Sequence, residues 1–274
     1  MTCRRRGYMV YVDYSLALDS SGEEARSCVG RVLLLFRQRQ GRRVGADQPR
    51  GVRRGVGRAD ARPAREARVR GGSREGRPMY LIIDCETTGL PRRRSAPVTD
   101  TDNWPHVVQV AWMLYDESEE LKERGSHLVR PNGFKIPLEA QRVHGITTER
   151  AEAEGMPLSF VLKELSVAAA RCKVVVAHNF DFDAKVISAE YVRLGLGPPF
   201  KGKTRVCTMK GSTNFCRIPG PYGYKWPTLP ELHHALFGCR CEETHDAALD
   251  VAACAKCFFE LKRRGVLVLD QRIA

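Results

Sequence analysis

Residues 79–90 narrow the possible folds more than any other stretch. An apolar run, 79–83, ends in two carboxylates, Asp84 and Glu86, before the chain breaks at Gly89. Such a run predicts a strand buried on both faces of a sheet. Residues i and i+2 of a strand share a face, so both carboxylates are expected to project together. Like charges held that close repel unless a cation separates them, and hard divalent cations prefer oxygen ligands. The stretch therefore indicates a metal site, with a chance Asp-x-Glu in a loop as the alternative.

The residues that follow alternate between strand and helix patterns. Segments 107–115 and 121–129 follow the first strand closely and predict a partly antiparallel meander. Further strands are predicted at 173–177 and 204–208. Helices are predicted at 136–143, at 157–170, after the strand at 173–177 with Asp183 in the first turn and an end near residue 195, at 228–236, and from about 246. Segments 91–105 and 211–227 are predicted to be loops. Strands first, then alternating helices and strands, indicate one α/β domain over residues 79–265, with a short C-terminal tail at 266–274.

Residues 1–78 differ in composition from the remainder. They hold 19 Arg, no Lys and 8 acidic residues, which accounts for +11 of the net charge of +13. An Arg- and Gly-rich segment without apolar periodicity is expected to be a disordered, basic leader. Three interpretations remain open: a tail that binds nucleic acid, a transit peptide (which the eight acids disfavour), and a segment that is not native, with Met79 as the true start.

Apolar runs and cysteines bear on the cellular compartment. No apolar run approaches the roughly 20 residues of a membrane span, so the sequence predicts a cytoplasmic protein without a membrane partner. The ten cysteines are scattered, which favours reduced thiols over disulfides. The pairs Cys239/Cys241 and Cys254/Cys257 are spaced like zinc ligands, but the second pair falls in a helix pattern, so structural zinc is disfavoured.

Two further clusters of polar residues lie at predicted helix starts. One runs from His178 to Asp183, and the other from His245 to Asp250. Any single acid there is explained by the helix dipole, and a lone histidine ahead of a helix is usually structural. The combination of four carboxylates and a histidine at element ends within one domain favours a catalytic metal site over these separate explanations.

The three clusters together resemble a known family. Asp-x-Glu-Thr at 84–87, His-Asn-x-x-Phe-Asp at 178–183 and His-Asp-Ala-x-x-Asp at 245–250 occur in the order of the three motifs of the DEDDh exonuclease superfamily. This superfamily is DnaQ-like, includes polymerase proofreading subunits, and has a ribonuclease H-like fold. The resemblance covers residues 79–264 and implies a mixed five-stranded sheet flanked by helices.

The resemblance also implies roles for individual residues. The metal-binding carboxylates would be Asp84, Glu86, Asp183 and Asp250, and the general base would be His245. Asp181 occupies a variable position of the motif and is not expected to be a ligand. The residues expected to contact substrate, from the resemblance and from the mix of basic and aromatic residues in the two loops, are Thr87, Thr88, His144, Asn179, Trp104 and Lys225.

The function that follows is a metal-dependent 3′–5′ exonuclease acting on single-stranded or frayed DNA. Two Mg²⁺ or Mn²⁺ ions and a histidine base would release nucleoside 5′-monophosphates. The expected partners are 3′ ends of single-stranded DNA or RNA, with a DNA polymerase as a further possibility in replication, repair or proofreading. Two alternatives are kept: a 3′–5′ exoribonuclease with the same chemistry, and a non-catalytic nucleic-acid-binding module.

Overall fold

The structure is a computed structural model that describes residues 79–239, 241 and 245–269, with two short strands before them. These strands, β1 (Val12–Asp13) and β2 (Arg31–Val32), pair antiparallel. The chain divides into two units, Met1–Glu75 and Gly76–Ala274. Apart from β1 and β2, the expected leader at 1–78 lies outside the described residues, and its boundary with the next domain stays a prediction.

The second unit is built on a mixed five-stranded sheet. Its strands are β3 (Tyr80–Thr87), β4 (Val107–Tyr115), β5 (Leu121–Leu128), β6 (Val174–Ala177) and β7 (Thr204–Cys207), in the order β5-β4-β3-β6-β7. The β3/β4 and β4/β5 pairs are antiparallel, and the β3/β6 and β6/β7 pairs are parallel. The expected ribonuclease H-like fold is thus confirmed, with β3 at the centre of the sheet.

Eight helices are described in this unit. They are α1 (Leu138–His144), α2 (Thr148–Glu154), α3 (Leu158–Arg171), α4 (Phe180–Arg193), α5 (Thr208–Gly211), α6 (Thr213–Cys216), α7 (Leu229–Phe237) and α8 (Ala247–Arg263). The predicted capping box at the start of α7 is present, because the Thr228 side chain accepts from the Glu231 backbone while the Glu231 carboxylate accepts from the Thr228 N–H.

The alternation of side chains along β3 divides the core into two layers. Leu81, Ile83 and Cys85 pack with α3 and α4 on one face. Tyr80 and Ile82 pack with α7 and α8 on the other. A register slip of one residue would move every side chain of β3 to the other face of the sheet. Such a slip is strongly disfavoured, because both faces of β3 are buried.

The structure adds local elements that the sequence did not predict. Helix α2 was not predicted; its cap, Thr147, accepts a hydrogen bond from the backbone of Arg150. Segment 211–227 is not a plain loop, because it contains α6 and a hairpin formed by β8 (Pro219–Gly220) and β9 (Gly223–Tyr224). Segment 91–105 contains a short 3₁₀ turn, Thr101–Asn103.

The predicted tail is described only as far as residue 269. Val266, Leu267 and Leu269 are partly buried against the α7/α8 layer, and the boundary between domain and tail at residue 265 stays a prediction. Among the described residues, no helix combines the length and apolar character that crossing a bilayer requires.

Candidate active site

Two carboxylates of the site come from the end of β3. Asp84 and Glu86 continue the even-numbered face that Tyr80 and Ile82 present to α8. Both side chains are half-buried. A bulge follows directly, because the pairing with β4 shifts register between Glu86 and Thr87. The two carboxylates therefore lie at the end of the strand, on the face that is turned towards α8.

A third carboxylate, Asp183, reaches β3 from the first turn of α4. It is 3% exposed, and its Oδ1 accepts hydrogen bonds from the Cys85 backbone N–H at 3.2 Å and from the Cys85 thiol at 3.3 Å. Cys85 lies between Asp84 and Glu86 in sequence, so these bonds fix Asp183 beside both. Asp181 is instead exposed and forms an ion pair with Lys210.

The fourth carboxylate, Asp250, lies in the first turn of α8, whose start is clamped to β4. The side chain of Asp246 caps the helix by accepting from the Ala248 N–H at 2.9 Å. Gln109 of β4 donates to Asp246 at 3.2 Å and accepts from the Ala247 N–H at 3.1 Å. Since Gln109 pairs with Glu86 in the sheet register, the start of α8 is tied to the strand position opposite a site carboxylate.

His245 immediately precedes the α8 cap and completes the cluster. Its backbone φ of 46° lies in the left-handed region that non-glycine residues seldom adopt. One ligand-type atom each from Glu86, His245 and Asp250 lies within 4.8 Å of the others. Asp84, His245 and Asp250 line a cavity of about 440 Å³.

The electrostatics of the cluster are those of crowded negative charges. Burial raises the pKa of Asp84 well above its usual range, and the charges of Asp183 and Asp250 raise it further. Burial, with repulsion from Asp250 and Asp183, raises the pKa of Glu86 to about 8. Burial also raises the pKa of Asp183 to about 7, although hydrogen bonds from Cys85 oppose that shift.

This donor set fits a hard divalent cation. Four carboxylates that repel one another at one strand end are stabilised by positive charge between them, and carboxylate oxygen is the ligand that such ions prefer. The Glu86, His245 and Asp250 group is spaced as a shared ligand set. In the part of the chain that the structure describes, the cysteine pairs form no comparable group.

His178, which opens the second motif, ties two segments together. One ring nitrogen, Nε2, lies 3.0 Å from the carbonyl of Pro227, and Nδ1 lies 3.0 Å from the Thr208 hydroxyl. Burial lowers the pKa of His178 to about 4, so the ring is neutral near pH 7. A neutral ring must then donate from Nε2 to the carbonyl. The bond fixes the segment before α7 against the end of β6.

The residues expected near the terminal nucleotide surround this cluster. The Thr87 hydroxyl donates to the Gly89 carbonyl at 2.7 Å, and the Thr88 hydroxyl accepts from the His106 N–H at 2.9 Å. His144 is buried at the end of α1, which lowers its pKa. Asn179 has a left-handed φ of 74° at the start of α4 and lines the 440 Å³ cavity. Contacts of these four residues with substrate stay predictions.

The two loop residues expected to bind substrate differ in exposure. Trp104 is 4% exposed, packs in the α3/α4 core layer, and donates from its indole to the Pro97 carbonyl at 3.0 Å. Lys225 pairs with Glu231 at 2.6 Å on the surface. Both side chains thus have a partner within the protein, and their contact with substrate also stays a prediction.

Sequence reasoning missed Gln109, and it considered Arg94 and Trp226 only among the basic and aromatic residues of the two long loops. Gln109 has a visible signal, since it is a single polar residue within an apolar strand. Arg94 and Trp226 come from the two long loops, and both line the cavity that contains Asp84. Nothing in sequence spacing indicates that these loops meet.

Known proteins that match this chain in sequence pattern or in fold are exonucleases. A family model described as an exonuclease, of the RNase T type, matches residues 81–258. A comparison with curated protein sequences finds no significant match. Among solved structures, E. coli exonuclease I in complex with a dA16 oligonucleotide superposes with a TM-score of 0.53 and 17% identity, covering 68% of this chain and 41% of that one. The zinc-bound form of the E. coli exonuclease I–ssDNA complex gives 0.54 and 20%, covering 72% and 42%.

The fold is ribonuclease H-like, and it assembles the three motifs of DEDDh-type, DnaQ-like exonucleases at one end of the sheet. The chain belongs to the exonuclease family. It spans about two fifths of the length of the exonuclease I chains that it resembles.

Proposed function

We propose that this protein is a metal-dependent 3′–5′ exonuclease that removes nucleoside 5′-monophosphates from single-stranded or frayed DNA. The observation that supports this most strongly is the convergence of Asp84, Glu86, Asp183, His245 and Asp250 at one strand end. These residues come from β3, from α4, and from α8 with the residue just before its cap, which lie far apart in the sequence. Membership of the exonuclease family supports the same chemistry.

The four carboxylates are proposed to hold Mg²⁺ or Mn²⁺. Two such ions, when bound, supply positive charge to the attacking and leaving oxygens of a phosphodiester. Asp84 and Asp250 line the cavity, and Asp183 is held by Cys85, so the ligands need little reorganisation to bind. Gln109 and the Asp246 cap hold the start of α8, and with it Asp250, in a fixed position against β4.

His245 is proposed to take the proton from the attacking water. A histidine suits this task because its ordinary pKa of about 6.5 lies near neutrality. Its ring is close to Glu86 and Asp250, and its side chain lines the cavity. Arg94 and Asn179, which line the same cavity, are proposed to position the phosphate and sugar of the substrate.

Single-stranded DNA is the substrate that the comparisons favour. The exonuclease I structures contain a dA16 oligonucleotide in one case and ssDNA in another. A cavity bordered by an exposed indole and an arginine is also suited to unpaired bases and phosphates. RNA shares both features, so the test includes it.

The test is digestion of 5′-labelled DNA and RNA oligonucleotides of one sequence, single- and double-stranded, with Mg²⁺ or EDTA. The expected result is a ladder that shortens from the 3′ end, requires the metal, and is fastest on single-stranded DNA. Asp84→Asn should abolish the ladder, whereas Asp102→Asn, at an exposed aspartate of the 3₁₀ turn, should not.

Each possible outcome decides one part of the proposal. Digestion by Asp84→Asn at the wild-type rate would refute the assigned site. Fragments produced internally would refute exonucleolytic polarity, and faster digestion of RNA would make the protein an exoribonuclease. Tight binding by the wild type without cleavage in Mg²⁺ or Mn²⁺ would favour the non-catalytic module.

A further inference from the structure

A second cavity lies directly beside the one that contains the carboxylates. Its volume is about 270 Å³, and its walls come from the loop after β3, the first turns of α4, α5 and the segment before α7. Arg94, Asn179 and Trp226 line both cavities. The two therefore share a border, and a chain that occupies the first can continue into the second.

Trp226 is the aromatic residue at this border whose ring is accessible. It is 53% exposed, whereas Trp104 and Trp112 are 4% and 2% exposed. The Lys210 ammonium lies 5.5 Å from the centre of its ring. Trp226 thus combines a large apolar ring with open space beside it, which are the requirements for stacking a nucleobase.

The backbone around Trp226 is held on both sides. The next residue, Pro227, accepts from His178 at 3.0 Å, and Thr228 forms the capping box of α7. On the preceding side, Lys225 donates its backbone N–H to the Ile218 carbonyl at 2.9 Å across the hairpin. An exposed ring on a fixed backbone loses little conformational freedom when a ligand stacks on it.

The charges at the border favour a phosphate next to that ring. Arg94 is exposed and, among the described residues, has no carboxylate partner, in contrast to Arg93, which pairs with Asp100 at 3.3 Å. The Arg94 loop is itself tied to α4, because Lys185 donates to the Arg94 carbonyl at 2.9 Å. A positioned cation beside an accessible aromatic ring is the combination that binds single-stranded nucleic acid.

We propose that the second cavity is a nucleobase subsite, in which one base of the substrate strand, next to the nucleotide being cut, stacks on Trp226 while its phosphate lies beside Arg94. This inference rests on the proposed function and adds a specific contact to it. The subsite would accept any base, because stacking depends on the π-face that all bases share.

The test uses oligonucleotides that carry one abasic residue, moved stepwise through the first six positions from the 3′ end. For the wild-type protein, one position should lower kcat/KM by roughly tenfold, the loss expected for one stacked base. Trp226→Ala should lower kcat/KM on the intact oligonucleotide by a similar factor, and the abasic residue at that position should then cause no further loss. Trp226→Phe keeps a smaller aromatic ring and should therefore retain part of the wild-type kcat/KM and part of the penalty that the abasic residue causes.

Tyr222→Ala is the matched control, since Tyr222 is a fully exposed ring of the β8–β9 hairpin, four residues before Trp226, and lies outside the linings of both cavities. It should keep the full penalty of the abasic residue. If Trp226→Ala showed the same abasic penalty as the wild type, or if no position caused a penalty in the wild type, the subsite would be refuted.

A binding measurement separates this inference from the proposed function. Trp112 is buried, and Trp104, which also lines the second cavity, is only 4% exposed, so quenching of tryptophan emission by single-stranded DNA should report chiefly on Trp226. The quenching should disappear in Trp226→Phe and with a fully abasic oligomer. Quenching without any cleavage would support the subsite and refute the nuclease, whereas cleavage with unchanged emission would refute the subsite alone.

Discussion

Neutralising Glu86 should stabilise the metal-free protein while it abolishes activity. The pKa of Glu86 is raised from 4.5 to about 8, chiefly by burial and then by repulsion from Asp250 and Asp183. A raised carboxyl pKa means that the folded state holds its proton more tightly than the unfolded state does. Stability is therefore greatest at low pH and falls as the pH rises from about 4.5 towards 8.

The size of this effect follows from the shift. Each unit of pKa corresponds to about 1.4 kcal/mol, so ionisation of Glu86 at pH 8 opposes folding by up to roughly 4 kcal/mol, against roughly 1 kcal/mol at pH 5. Glu86→Gln removes this ionisation. In EDTA, its gain in unfolding free energy over the wild type should thus be roughly 3 kcal/mol larger at pH 8 than at pH 5. For a domain of this size, that difference corresponds to roughly 10 °C in Tm.

The assay is urea or thermal unfolding of both proteins in EDTA at pH 5 and pH 8, repeated with saturating Mg²⁺. With the metal at pH 8, the wild type should become the more stable of the two proteins. The metal stabilises the folded wild type by binding to it, and the variant has lost one of the ligands. Glu152→Gln, at an exposed glutamate of α2, is the control and should show no gain that depends on pH. If Glu86→Gln changed the stability of the metal-free protein equally at both pH values, the raised pKa of Glu86 would be refuted.

Three further substitutions test the geometry of the site. Asp183→Asn should lower kcat by at least about 100-fold, whereas Asp181→Asn should change kcat by less than about threefold. The reason is that only the buried carboxylate of Asp183 faces the cluster, so equal losses in the two variants would contradict this geometry. Gln109→Leu should lower activity about 10–100-fold with KM little changed, because the start of α8 loses two hydrogen bonds; unchanged kcat would exclude a positioning role. Arg94→Gln should reduce the slope of log K against log salt for single-stranded DNA by about 0.7. Arg92→Gln makes the same change of charge in the same loop and should reduce the slope by clearly less. Equal slopes for the two variants would exclude a specific role of Arg94.

The strands and long helices could be predicted from the sequence because their signals are local. The apolar run of β3 and the spacing of buried residues on α3 and α8 depend only on periodicity. Helix α2 was missed because just two of its residues are buried, Thr148 and Ala151, which leaves no apolar stripe to detect. The β8–β9 hairpin was missed because two-residue strands are too short to show alternation.

Burial of single residues in the loops could not be predicted, since it depends on distant partners. Trp104 and Trp226 both precede a proline in a long loop, yet Trp104 is buried and Trp226 is accessible. Trp104 is buried because its loop is held to α4 by Arg193, which donates to the Thr101 and Trp104 carbonyls at 2.6 Å and pairs with the buried Glu190 at 2.9 Å. Those partners lie about 90 residues further along the chain.

The sequence by itself determined which side chains are available for catalysis and at which ends of strands and helices they occur. The identity and spacing of Asp84, Glu86, Asp183, His245 and Asp250 are sufficient for that, because they depend on local pattern. Only the tertiary structure decided that α8 meets the face of β3 that carries both carboxylates, and that the two long loops form one border. The physical reason is that these contacts follow from the packing of both core layers and from hydrogen bonds between segments far apart in sequence, which local periodicity does not encode.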